Sequence, residues 1–215
     1  MSNMANPRGV GVIILGLNQD AAAEGVFGTS CSQDRTELDD KASAMQAKGF
    51  VTLTVNADSL AQVGRFNEPS DSGVQILANA VLGVSAAGSM GGQGGSLPVE
   101  ITGFSRGGGG AVALTNRLTE SGVLGRSITL NLIDPYMGPS SNTVNDPGVH
   151  VSLSRSTGFH WQSVGLAVAA VGIAHFTRDV YQVGAGGGKT RVPATPYDLP
   201  HSQMDNLWPF GAVMP

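Results

Sequence analysis

The stretch Pro98-Val99-Glu100-Ile101-Thr102-Gly103-Phe104-Ser105-Arg106-Gly107-Gly108 decides how this chain is read. Pro98–Gly103 has the composition and length of a short strand, and Gly107–Glu120 reads as a helix. Ser105 falls on the junction. A strand that turns directly into a helix is the repeating unit of a parallel sheet, so the neighbouring segments should alternate in the same way.

They do so in both directions. Towards the N-terminus, Val10–Leu17 is a continuous apolar run ending in a glycine-containing turn, as expected of a strand covered on both faces. Asn18–Asp34 is polar and small and reads as a long loop. Arg35–Lys48, with Leu38, Ala42, Met45 and Ala47 and then Gly49, reads as a helix with a glycine stop. Phe50–Val55 is a second strand. Ser72–Ala87, with Val74, Ile76, Leu77, Ala80, Val81 and Val84, is a buried helix, and Ser89–Ser96 is a flexible loop. Towards the C-terminus, Ser127–Ile133 is a fourth strand, broken by Asp134-Pro135. The order β-α-β-α-β-α-β predicts a mostly parallel sheet with helices on both faces and right-handed crossovers. Beyond Pro139 the expected elements are a strand at Val149–Ser154, a helix at Gln162–Ala174, a strand at His175–Val183 and a loop at Gly184–Gly188.

The 215 residues suit one domain, 1–215, with residues 139–175 as an excursion or lid. Charged residues make up 13% of the chain, against about 25% in an average protein. The 31 glycines cluster between apolar runs, which points to tight strand-to-helix turns rather than to disorder. The net charge is −4 and no Lys/Arg cluster is present, which argues against a nucleic-acid partner. A single cysteine, Cys31, excludes an internal disulfide framework and a zinc ribbon, and it reads as a buried or loop thiol. Residues 1–8 lack the pattern of a secretory signal, and the apolar stretch Val164–Ala174 is too short to span a bilayer. The expectation is a cytoplasmic protein without stable membrane insertion, although export without a signal is compatible with the same residues. Oligomeric state is left open.

Gly103-Phe104-Ser105-Arg106-Gly107 has the G-x-S-x-G pattern of a nucleophile elbow. A sharp strand-to-helix turn lifts the serine above the sheet and forces it into strained φ/ψ, and the flanking glycines make room. The helix beneath adds its positive end, and the N–H of Arg106 supplies one oxyanion donor.

Ile101-Thr102-Gly103-Phe104-Ser105-Arg106-Gly107-Gly108 resembles the elbow of bacterial lipase-like α/β-hydrolases. In that family an Ile-Asp-Pro acid motif and a late histidine follow. This chain carries Leu132-Ile133-Asp134-Pro135, then Val180-Tyr181-Gln182, then His201-Ser202-Gln203-Met204-Asp205. The resemblance covers Val99 to Asp205, and it implies an esterase or lipase without fixing the substrate.

The hydrolase order is nucleophile, acid, histidine. Asp134, at the C-terminal tip of the next strand, is the expected acid, with Asp179 and Asp198 as reserves. Of the four histidines, His150 and His175 fall in or at predicted strands, where a structural role is expected. His201, in a late loop, is the expected base, with His160 next. The second oxyanion donor should come from the loop after the first strand, with Leu17 preferred over Asn18. Asn18, Phe104, His160 and Trp161 are the candidates for lining the substrate.

Two patterns are set aside. Gly186-Gly187-Gly188-Lys189-Thr190 resembles the end of a P-loop, but Val183 occupies the position of its first glycine, and Arg191–Pro196 does not easily start the helix a phosphate needs. No spacing suggests a metal site. Val164–Ala174 reads as a core helix or as an apolar lid facing a lipid. The expected activity is hydrolysis of a small-molecule or lipid carboxylic ester through an acyl-enzyme, with no cofactor. The rivals are an amidase or acyltransferase on the same scaffold, and a non-catalytic binding protein with a degenerate elbow.

Overall fold

The structure is a computed structural model, and it describes residues 7–15, 35–56, 67–89, 97–105, 107–122, 127–135, 137, 141–157, 179–199, 204 and 207. The elements run β1 (Gly9–Leu15), α1 (Arg35–Ala47), β2 (Phe50–Asn56), α2 (Ser72–Ser89), β3 (Val99–Phe104), α3 (Gly107–Glu120), β4 (Ile128–Ile133), β5 (Thr143–Val144), β6 (His150–Ser156), β7 (Tyr181–Val183), β8 (Lys189–Arg191) and β9 (Thr195–Tyr197).

Six strands form one sheet in the order β2-β1-β3-β4-β6-β9, and each neighbouring pair is parallel. The apolar character of β1 follows from its central place, because both of its faces are covered. Val10, Val12 and Ile14 join residues of α2 and α3 in one cluster, with Val74, Leu77, Val81, Ala111, Leu114 and Leu118. Ile13 and Leu15 point the other way and pack with Met45 of α1, Phe104 and Ile133. The fold is therefore of α/β type, with a mostly parallel sheet between helices. Each fully buried Leu, Ile or Val contributes about 1.5–3 kcal/mol relative to exposure, so this two-sided burial is the main stabilising term.

Strand order also locates a topological switch point. From β1 the chain crosses to β2 on one side of β1, then returns past β1 to β3 on the other. The connections leaving the carboxyl ends of β1 and β3 thus diverge to opposite sides, and in open α/β sheets ligands bind at such a switch point.

Four strands, β5, β7, β8 and β9, depart from expectation. Only Tyr181–Val183 of the expected 175–183 strand is a strand among the described residues. It lies outside the main sheet, in a second, three-stranded sheet of order β5-β7-β8. Strands β5 and β8 of that sheet are two and three residues long, too short to carry an apolar alternation. β9, Thr195-Pro196-Tyr197, contains a proline. That is tolerated because, among the described residues, β9 is an edge strand bonded to β6. Within 139–175, Thr143–Val144 and His150–Ser156 are strands of the two sheets. The helix expected at Gln162–Ala174, and Cys31, lie outside the described residues.

The small sheet is attached by apolar packing of Val144, Val180 and Val192 in the main core and by buried polar side chains. Asn116 of α3 is 1% exposed. Its Nδ2 donates to the Thr143 carbonyl at 2.8 Å, and its Oδ1 accepts from Asn145 N–H at 2.9 Å. Gln182 Nε2 donates to the carbonyls of Asp146 and Val149. The glycine run between β7 and β8 closes an antiparallel hairpin, with Gly184 N–H on Gly188 O and Gly187 N–H on Gly184 O. β8 follows it directly, so no helix N-terminus stands there to hold a phosphate.

Candidate active site

Ser105 follows the last residue of β3 and precedes α3 by one residue. Its φ is 53°, in the left-handed region. Asp134 follows the last residue of β4, with φ 41°. Among the described residues these are the non-glycine residues at positive φ. Such backbone is disfavoured for L-residues by about 1–2 kcal/mol, and for Asp134 the following Pro135 adds its own preference for extended geometry. Strain of this kind persists only where the surroundings over-determine it, and it concentrates at functional sites.

The surroundings are visible. A Cβ added at Gly103 would stand 2.7 Å from both the Ala111 Cβ and the Gly107 carbonyl oxygen. One at Gly107 would overlap the Ile14 carbonyl, and one at Gly108 would overlap the Pro135 ring. The first turn of α3 is thus wedged between the end of β1 and the Asp134-Pro135 turn, and only glycine allows so close an approach. The fold places Ser105 at the topological switch point of the sheet, just before the N-terminus, the positive end, of a 14-residue helix. The Gly108 N–H donates to the Ser105 carbonyl at 3.0 Å, which closes the turn.

Ser105 and Asp134 stand side by side. β3 and β4 pair through Phe104 and Ile133, and the Ser105 N–H carries the ladder one step further, donating to the Ile133 carbonyl at 3.1 Å. The next strand repeats the arrangement, with the Asp134 N–H on the Ser154 carbonyl at 2.8 Å. The Asp134 residue is 0% exposed, and its Oδ1 accepts the Ser156 N–H at 3.1 Å. A buried carboxylate needs such donors, since an unsatisfied one would be strongly penalised.

The chain beyond β9 returns to the same edge. The Ser156 hydroxyl donates to the Leu199 carbonyl, and Thr157 donates through both N–H and Oγ1 to the Tyr197 carbonyl. Met204, 0% exposed, packs with Phe104 and Ile133, and Tyr197, Leu199 and Leu207 join that cluster. Phe104 itself is 6% exposed, so its ring belongs to the core under the turn.

Of the residues expected at the site, Ser105, Phe104 and Asp134 are described and gathered at one sheet edge. Leu17, Asn18, Arg106, His160, Trp161 and His201 lie outside the described residues, as does His175. His150 opens β6, six residues before Ser156, which puts it roughly 20 Å down the strand from the site at about 3.3 Å per residue. Asp179 binds Arg155 and Arg191 instead, each at 2.7 Å, and Asp198 is exposed. Sequence reasoning gave no role to Ser156 and Thr157. A serine and a threonine closing a strand carry no distinctive pattern, and only the strand pairing shows what they bind.

No protein-family model, curated protein or solved structure matches the chain.

Among the described residues no group of three or more His, Cys, Asp or Glu side chains is placed to hold a metal ion, and no helix is long and apolar enough to cross a membrane. Glu100, on the same face of β3 as Phe104, is held above the usual carboxylate range by burial, which Lys48 and a hydrogen bond from Asn131 partly offset. It lies four residues, about 13 Å, back from Phe104 along the strand, away from the strained edge.

Proposed function

We propose that the protein is a serine hydrolase of the α/β-hydrolase type that cleaves carboxylic esters of acyl or lipid character through an acyl-enzyme. One observation carries this reading. The residues that sequence order nominates as nucleophile and acid, Ser105 and Asp134, both have positive φ at the tips of neighbouring parallel strands. A strained serine between strand and helix is the hallmark of a nucleophile elbow. A strained, buried acid one strand away stands where a triad can use it.

In this mechanism the Ser105 hydroxyl attacks the ester carbonyl while the His201 imidazole takes its proton. Asp134 orients the imidazole and stabilises the imidazolium. The Arg106 N–H, at the helix N-terminus, and the Leu17 N–H, from the loop after β1, bind the oxyanion. The tetrahedral intermediate then expels the alcohol, which takes the proton from His201, and water hydrolyses the acyl-serine by the same steps. The assignment of His201 is supported by its flanks. Leu199 is bonded to Ser156, whose N–H is on Asp134, and Met204 packs against Phe104 and Ile133. One residue, Pro200, separates Leu199 from His201, which puts their backbones at most roughly 7 Å apart. The low charge of the chain, with Asn18, His160 and Trp161 as candidates to line the cleft, favours an uncharged acyl substrate.

A fluorophosphonate probe tests the nucleophile. Folded protein should be labelled at Ser105, and Ser105→Ala should abolish labelling and hydrolysis of p-nitrophenyl esters, with folding retained. Absence of labelling under conditions that label a control esterase would overturn the proposal. A series of ester and amide substrates of different acyl lengths then separates an esterase from an amidase or acyltransferase.

A further inference from the structure

β6 and β9 pair in parallel through Ser154–Thr195, Arg155–Pro196 and Ser156–Tyr197, and there the ladder register ends. Leu199 lies two residues past the last pair. The bond that follows the chain beyond the ladder comes from a side chain, the Ser156 hydroxyl, which donates to the Leu199 carbonyl. The main chain of the same residue holds the carboxylate, through its N–H on Asp134 Oδ1. Ser156 is 9% exposed, so water competes poorly for either bond. One buried residue therefore fixes two segments relative to each other, the acid at the tip of β4 and the chain leaving β9.

We propose that Ser156 is a positioning residue for the catalytic triad, setting Asp134 in register with the segment after β9. The inference rests on the hydrolase reading above, in which that segment carries His201. The side chain has a task here that alanine could not perform, although alanine would fill the same backbone place and keep the N–H on Asp134. The mechanism needs the Asp134–imidazole alignment to hold within a fraction of an ångström, because small misplacements in a triad cost much of its rate. Ser156 acts through Asp134 and Leu199, without touching the substrate.

The test compares wild type, Ser156→Ala and Ser156→Thr, each as the full chain. Fluorophosphonate labelling rate, kcat and KM on a p-nitrophenyl ester, the pH profile of kcat/KM and the unfolding midpoint are measured. Ser156→Ala should lower the labelling rate and kcat about tenfold with KM nearly unchanged. Its acidic limb of kcat/KM should move to lower pH, because a misaligned carboxylate stabilises the imidazolium less. Ser156→Thr keeps a hydroxyl and should recover most of the rate. A wild-type rate and pH limb in Ser156→Ala, with wild-type protein labelled normally, overturns this inference alone. So does a loss of rate that only follows the folded fraction while the limb stays in place. A wild-type chain that is never labelled overturns the hydrolase reading and this inference together. Where Ser156→Ala does not fold, Ser156→Cys supplies the same comparison, with a similar volume and a weaker donor.

Discussion

The carboxyl edge of the large sheet and the small three-stranded sheet both pack on the core, but they differ in backbone strain and in their polar bonds. At the large-sheet edge, backbone strain is held by packing: glycines at 103, 107 and 108 press α3 against β1 and Pro135, and Ser105 and Asp134 take positive φ. In the small sheet the glycine run of the β7–β8 hairpin has open space around it, with nothing near Gly186, Gly187 and Gly188. That sheet is anchored by Val144, Val180 and Val192 in the core, and by the side chains of Asn116, Gln182 and Asp179. The contrast teaches where function is stored. A tightly packed strain site cannot relax without moving its neighbours, so it can present a reactive group in one geometry. A polar staple fixes an element in place but leaves its backbone unstrained.

The contrast predicts that damage at the two sites separates stability from reactivity. The largest effect is expected at the elbow. Gly103→Val puts a branched side chain where a single Cβ already meets α3 backbone, so it should destabilise the fold by about 3 kcal/mol or more. The folded fraction that remains should be labelled poorly by a fluorophosphonate, because α3 must shift from beneath Ser105. Urea unfolding with labelling normalised to folded protein checks both outcomes, and a normally reactive Gly103→Val would break the link between packing and strain. Asn116→Ala is the matching cut in the other region. It leaves the Thr143 carbonyl and the Asn145 N–H without their partner, at about 1–3 kcal/mol for a buried group. Its labelling rate per folded molecule should match wild type.

The same division explains what could be read from the residues alone. β1, α1, β2, α2, β3, α3 and β4 were legible because they obey periodicity: two-sided burial made β1 continuously apolar, and glycine marked the stop of α1 and the turn at Ser105. The strand–turn–helix position of Ser105 and the strand-tip position of Asp134 followed from that alternation. Of the small sheet, β7 and the glycine turn after it fell within the expected strand and loop, whereas β5 and β8 were illegible because they are two or three residues long and depend on partners far away in sequence, as with Asn116 and Thr143. β9 was hidden by Pro196, whose usual meaning is a break and whose tolerance depends on being at an edge. Ser156 was hidden for a related reason, since its two partners, Asp134 and Leu199, are 22 and 43 residues away.

The smallest effect expected separates the regions by pH. Asp179 Oδ1 accepts from Arg155 of β6 and Arg191 of β8, each at 2.7 Å, so it clasps the small sheet to the large one. Hydrogen bonding from Arg155 is the largest influence; partial burial opposes it, and the Arg191 hydrogen bond with the charges of both arginines keeps the carboxyl below the usual range. The folded pKa is thus lower than the unfolded value of about 3.9, and the clasp contributes its full stability above that value. Its contribution is lost as pH falls through the folded pKa, where protonation of Asp179 releases both arginines. The Asp179 side chain is 37% exposed and Arg191 is 59% exposed, so solvent screening limits the effect to about 1 kcal/mol or less. Asp179→Asn should therefore unfold slightly earlier in urea than wild type at pH 7, and the gap should close once the pH is below the folded pKa. Labelling of Ser105 at pH 7 should be unchanged, because Arg155 points to the opposite face of β6 from Ser154 and Ser156. A gap that persists undiminished at low pH would mean that Asp179 acts through packing rather than through its charge, and the small sheet would then resemble the large one more than its polar contacts suggest.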